Sequence, residues 1–174
     1  RQALKVLNFS NDEVWEIFKL LAAILHLGNV KFQTALVDNI DSVTIANSAE
    51  LEKVISLLQV DKTTLTHTLT KKVIQVEGST VVTEVSKTQA VATKDGFSRG
   101  LYYRLFIYVV DKINKTIFRQ ETSNNYSIGV LDIFGFEDFD NNSFEQLCIN
   151  YANEQLQQFF VKHIFKLEQE EYKR

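Results

Sequence analysis

Asp132, Gly135 and Glu137 close the run Ser127-Ile-Gly-Val-Leu-Asp-Ile-Phe134-Gly-Phe-Glu137. An almost continuous apolar stretch of this length, bounded by loop signals, suits a strand buried on both faces. A buried strand that finishes in a carboxylate is how nucleotide-hydrolysing folds hold Mg²⁺, directly or through water. Gly135 has no Cβ, so the backbone there can approach a phosphate closely and offer its N–H. Glu137, two residues on, is placed for a salt bridge or for positioning water. A plainer reading stands beside this one: Asp132 satisfies a neighbouring backbone group, Gly135 makes a turn and Glu137 is solvated. The phosphate-cradling pattern Gly-x-x-x-x-Gly-Lys-Ser/Thr occurs nowhere in the 174 residues. Under the first reading, the rest of the nucleotide site therefore lies outside this stretch.

Other reactive side chains carry less. His26, His67 and His163 are far apart and lack the paired spacing of a metal site. Cys148, the single cysteine, falls among apolar residues of a helical pattern and reads as an inert core residue. It allows no internal disulfide, which fits a reducing compartment. Asp138, Asp140, Asn141 and Asn142 lack the Gly and distal Glu of a calcium loop and read as a turn before a helix cap. With 19 basic against 22 acidic residues there is no basic footprint for nucleic acid. No window is apolar enough for a membrane helix. The chain has neither Met nor Pro, and its last helical run ends without a breaker, so a piece of a longer protein is expected.

These residues need elements to position them. Ser10-Asn-Asp-Glu13 is a capping box, followed by Val14, Ile17, Phe18, Leu21, Ile24 and Leu25 at helical spacing, with Gly28 as the expected stop. Residues 29–47 read as an irregular or short-strand surface segment. A helix opens at Asn47-Ser48 with Leu51, Val54, Ile55 and Leu58, and a shorter one is expected over 62–69. Two β-branched runs, 73–76 and 81–85, flank Gly78 and predict a hairpin whose turn Gly78 can make at positive φ. Ser86-Lys-Thr-Gln89 caps a long helix with the stripe Ala90, Phe97, Leu101, Leu105, Val109, Ile113 and Ile117, in which Gly96 and Gly100 are expected to permit close packing. A last helix begins at Ser143-Phe-Glu-Gln146. Its expected buried stripe is Phe144, Leu147, Cys148, Tyr151, Leu156, Phe159, Phe160, His163, Ile164 and Leu167. Uninterrupted to Arg174 it would reach roughly 48 Å, the length of a lever rather than of routine packing.

The segment Asp132-Ile-Phe-Gly-Phe-Glu137, with Asn142-Ser-Phe-Glu-Gln-Leu-Cys-Ile-Asn-Tyr-Ala-Asn-Glu154, Leu156-Gln-Gln-Phe-Phe160 and Phe165-Lys-Leu-Glu-Gln-Glu-Glu-Tyr172, resembles the switch II loop and relay helix of the myosin motor domain, of the unconventional type. Leu21-Ala-Ala-Ile-Leu-His-Leu-Gly-Asn29 and residues 95–114 resemble helices of the upper half of the same motor. The resemblance covers nearly the whole chain. It implies an α/β fold of the P-loop NTPase type, mostly long helices with one buried central-sheet strand and a surface hairpin. Residues 1–126 would supply upper-half helices and the hairpin, 127–142 the central strand and switch II, and 143–174 the relay helix.

The resemblance also implies roles. ATP and Mg²⁺ would be the cofactors, with Asp132 in the Mg²⁺ shell through water and the Gly135 amide on the terminal phosphate. Glu137 would pair with an arginine from a segment outside this chain and close the site around the attacking water, so Gly135 and Glu137 would be the catalytic positions. Phe136, Asn153, Phe159, Phe160 and Phe165 would couple the loop to lever movement. Actin filaments are the implied partner, with light chains or calmodulin on a lever not included here, and the actin cytoskeleton of the cytoplasm is the implied location. The hairpin 70–87 resembles the surface loop that touches actin. Counting sixteen positions back from Asp95-Gly-Phe-Ser98 reaches Ser79, a candidate phosphorylation site. The alternative function is a myosin-like actin tether without ATPase activity.

Overall fold

A computed structural model describes residues 1–37, 40–76, 79–118, 126 and 128–173. The elements run α1 (Gln2–Val6), α2 (Asn11–Asn29), β1 (Phe32–Val37), β2 (Ile40–Ile45), α3 (Ser48–Leu58), α4 (Lys62–Thr70), β3 (Lys71–Val76), β4 (Ser79–Glu84), α5 (Lys87–Ile117) and α6 (Phe144–Glu171). They fall into two units, Arg1–Gln120 and Glu121–Arg174. Among the described residues, no helix is long and apolar enough to cross a membrane.

The first unit holds the core. Leu27, Leu69 and Val54 are fully buried and pack with Val30, Phe32, Val43, Leu51, Leu65, Val85 and Ala90. The sheets are two antiparallel ribbons, β1–β2 with Phe32 opposite Ile45 and β3–β4 with Lys71 opposite Glu84. The segment 29–47 is thus a hairpin, and Phe32 and Val43 anchor it in the core. Glu84 ties the two ribbons together, accepting from Ser42 Oγ at 2.9 Å and from Lys71 Nζ at 3.2 Å. A second cluster of Phe9, Val14, Ile17 and Leu105 joins α2 to α5.

The expected capping boxes at Ser10 and Ser86 form. The Glu13 N–H donates to Ser10 Oγ while the Ser10 N–H donates to Glu13 Oε2, and Ser86 and Gln89 repeat the pattern. Gly28 is not the stop. α2 continues through Asn29 and ends at Val30, in extended backbone, because Asn47 takes over the chain there. Its Nδ2 donates to Asn29 O and its Oδ1 accepts the Lys31 N–H, both at 2.8 Å. Lys94 Nζ, reaching from α5, lies 3.4 Å from Gly28 O, a cation at a helix C-terminus. Gly96 and Gly100 do not mark close packing either, since a Cβ at each would meet open space. Within the α5 stripe Ala90 and Leu105 are buried, whereas Ile117 is exposed. The turn that Gly78 was expected to make lies outside the described residues.

Glu13 does more than cap. Its Oε1 also accepts from Lys112 Nζ at 2.7 Å and from the Tyr108 hydroxyl at 2.9 Å, both on α5. Lys112 first, then the Ser10 N–H and Tyr108, lower the Glu13 pKa from about 4.5 to about 2. Glu50 is likewise lowered to about 2, by Lys53 first and then His26, whose Nδ1 lies 2.7 Å from Glu50 Oε2. Both carboxylates bind protons more weakly folded than unfolded. Their contribution is complete above pH 4.5 and drains as pH falls toward 2. The urea midpoint of this chain should therefore drop between pH 5 and about 2.5, and drop less in Glu13→Gln. A midpoint that holds steady through that range would contradict this ion-pair account.

The second unit departs most from expectation. The run ending at Phe134 is not a buried strand: residues 128–139 have no regular secondary structure, and Ile128 and Val130 are 95% and 91% exposed. Position 127 lies outside the described residues. A strand buried on both faces needs a packed layer over each of them, and among the described residues of this unit α6 is the one regular element. Nor is any residue of α6 buried, so the expected stripe, Cys148 included, is exposed. The helix itself is present, with 28 residues and a length of roughly 42 Å. Among the described residues of its own unit there is no second helix for the stripe to pack against.

Candidate functional site

Residues 131–139 lie along the first half of α6, and named side chains hold them there. The helix begins where Ser143, in extended backbone, donates its N–H to Gln146 Oε1 at 2.8 Å. Just before it, the Phe139 N–H donates to Asn142 Oδ1 at 3.0 Å and Asn142 Nδ2 donates to Phe139 O at 2.7 Å. The turn expected around 138–142 is built by this exchange, in which a side-chain amide pairs as a neighbouring peptide would.

The same device recurs at Glu137. Its N–H donates to Asn150 Oδ1 at 2.8 Å, and Asn150 Nδ2 donates back to Glu137 O at 2.8 Å. Both backbone groups of one loop residue are thus held by one side chain of α6. The Glu137 carboxylate, on a half-buried residue, accepts from Gln146 Nε2 at 3.3 Å. Below this clasp, Leu131, Ile133 and Phe134 face Cys148, Ile149, Ala152, Asn153 and Leu156 across an apolar groove of about 390 Å³.

The residues singled out from sequence are distributed around this clasp. Asp132 is exposed. Gly135 has φ outside the left-handed region, and a Cβ placed on it would meet no atom within 4 Å. Phe136 is exposed, as are Phe159, Phe160 and Phe165 further along α6. Phe159 stacks on His163, with ring centroids 6.2 Å apart and planes 7° apart. Asn153 donates to Ile149 O within its own helix, not to the loop. Ser79 opens β4 opposite Val76 and is exposed.

Asn150, which makes the closest link between loop and helix, was not singled out from sequence. The signal was there. Gln146, Asn150 and Asn153 recur at spacings of four and three, which sets three side-chain amides on one face of the helix. Polar residues on such a face need partners, and an irregular segment with unpaired peptide groups supplies them.

Comparison with known proteins places the chain in a family. The family model described as Myosin head (motor domain) matches residues 1–174. The chain is 54% identical over 172 residues to Myosin-VIIa of Drosophila melanogaster, covering 99% of this chain and 8% of that protein. It is 51% identical over 176 residues to Unconventional myosin-VIIb of Mus musculus, again 99% of this chain and 8% of the relative. Unconventional myosin ID of Drosophila melanogaster is 47% identical over 176 residues, 99% of this chain and 17% of that protein. The chain spans a small part of the length of these relatives, the matches cover 99% of it, and the family model covers all of it: it belongs to the myosin motor-domain family.

Proposed function

We propose that this chain carries the phosphate-sensing loop and the adjoining helix of an actin-based motor that hydrolyses ATP. The observation that carries this reading is the clasp of Glu137 by Asn150, which makes the loop and the start of a long helix one mechanical piece. The donor chemistry suits the group to be bound. Asp132 offers a hard oxygen ligand for Mg²⁺ or its water shell, and the free space beside Gly135 leaves room for a phosphate oxygen. Mg²⁺ would offset the negative charge of the phosphate oxygens. Asp132 would hold that ion through its water shell, the Gly135 N–H would donate to the terminal phosphate, and Glu137 would pair with a cation to exclude bulk water around the attacking one. Phosphoryl transfer depends mainly on such positioning and electrostatics, so hydrolysis becomes conditional on the loop's conformation.

The exposed apolar side chains from Ile128 to Phe134 fit this reading, because this run would join a P-loop NTPase-type central sheet whose faces are covered by helices. Phe136, Asn153, Phe159, Phe160 and Phe165 would then bear on segments that carry the loop's movement to a lever. Measuring ATP hydrolysis by the full-length heavy chain with and without actin filaments tests the function. Turnover that rises with actin supports a motor; actin binding with no turnover would favour a tether.

The β3–β4 hairpin is the proposed actin contact, and Ser79 its regulatory position. Phosphorylation adds about −1.5 to −2 charge at pH 7. In the full-length motor, Ser79→Glu should show actin-stimulated turnover severalfold above Ser79→Ala. Equal activities would end the idea.

A further inference from the structure

Glu137 is held in two different ways. Its backbone is fixed by the pair of 2.8 Å bonds to Asn150, whereas its carboxylate has a single neutral donor among the described residues, Gln146 Nε2 at 3.3 Å. The other end of the same amide, Gln146 Oε1, accepts the Ser143 N–H at 2.8 Å and so belongs to the cap of α6. One side chain therefore bridges the helix start and the carboxylate. A neutral amide at that distance is a weak partner beside a cation, with which a carboxylate forms shorter and stronger bonds. Since Asn150 holds the main chain independently, the carboxylate can change partner by side-chain rotation alone.

We infer that Gln146 is the resting partner of the Glu137 carboxylate, a positioning residue that sets how readily Glu137 is released to a cation when the loop closes. The inference rests on the role proposed above for Glu137 and adds the group that competes for it. It also separates two functions that sequence joins. As a cap Gln146 needs only its oxygen, whereas as a resting partner it needs its Nε2 donor.

Gln146→Glu distinguishes them. It keeps a Ser-x-x-Glu capping box and an acidic first turn, so α6 is preserved. It removes the donor and sets a like charge beside Glu137. In the full-length motor, affinity for ADP with aluminium fluoride, which mimics the transferring phosphoryl group, should rise about three- to tenfold relative to affinity for ADP alone. Gln146→Met, which removes the donor and the cap oxygen together without adding charge, should move the ratio the same way by less. An unchanged or lowered ratio overturns the inference, since a residue that only caps the helix would not alter it. Glu137→Ala serves as the reference. If it abolishes the gain from aluminium fluoride while Gln146→Glu matches the parent, the role of Glu137 stands and Gln146 is not its partner. If Glu137→Ala also matches the parent, the role of Glu137 has failed, and this inference with it.

Discussion

Glu137→Ala in the full-length heavy chain is expected to lower ATP turnover at least about 100-fold while ATP binding stays within a few-fold. That loss is of the size seen when one preorganised electrostatic contact to a transition state is deleted. The structure makes the result interpretable. Asn150 grips the Glu137 backbone, so the substitution leaves the clasp in place and removes only the 3.3 Å contact with Gln146. A fall in turnover then reports the missing carboxylate and not an unravelled loop. Gly135→Ala is the companion. Within this chain the added methyl meets open space in an unstrained backbone, so folding should be unaffected and any loss arises where a phosphate would sit. Near-normal turnover in both variants would remove the roles assigned to this loop.

The largest effect on stability is expected from Leu27→Ala. Leu27 is fully buried between the β1–β2 hairpin, α3 and α5, in one cluster with Phe32, Leu51, Val54 and Ala90. Truncation removes transfer energy and leaves a cavity that neighbours on several elements can only partly fill, a loss of about 2–5 kcal/mol. The Tm of this chain should fall by roughly 10 °C. Leu25 lies two residues earlier on the same helix and is 73% exposed. Leu25→Ala should change stability by no more than about 0.5 kcal/mol. Comparable shifts in the two variants would mean that the packing of α2 is not as described.

The helices and hairpins of the first unit were legible because local rules decide them. Ser10, Ser86 and Ser143 stand three residues before Glu or Gln, and each opens a helix. The β-branched runs around Gly78 pair as read, with Val73 opposite Val82. What local rules cannot supply is the identity of a distant partner. Gly28 promised a helix stop, yet the stop was made by Asn47, eighteen residues beyond Asn29. The run from Ile128 to Phe134 has the composition of a doubly buried strand, but burial requires neighbouring layers that the described residues of its own unit do not provide. The stripe of α6 is exposed for the same reason. At the candidate site, Asp132, Gly135 and Glu137 stood out by type and spacing. Asn150 did not, because its importance lies in a pairing across thirteen residues that only the folded loop brings about.

The central claim is that the loop acts on α6 through Asn150, and the ratio of actin-filament gliding speed to ATP turnover in Asn150→Ala tests it most directly. The substitution leaves Asp132, Gly135 and the Glu137 carboxylate in the chain and removes both bonds of the clasp. Turnover should stay within about threefold of the parent while gliding speed falls about tenfold or more, the pattern of a coupling lost without the chemistry. If speed and turnover both hold, or both fall together, the clasp is not the link between phosphate and lever.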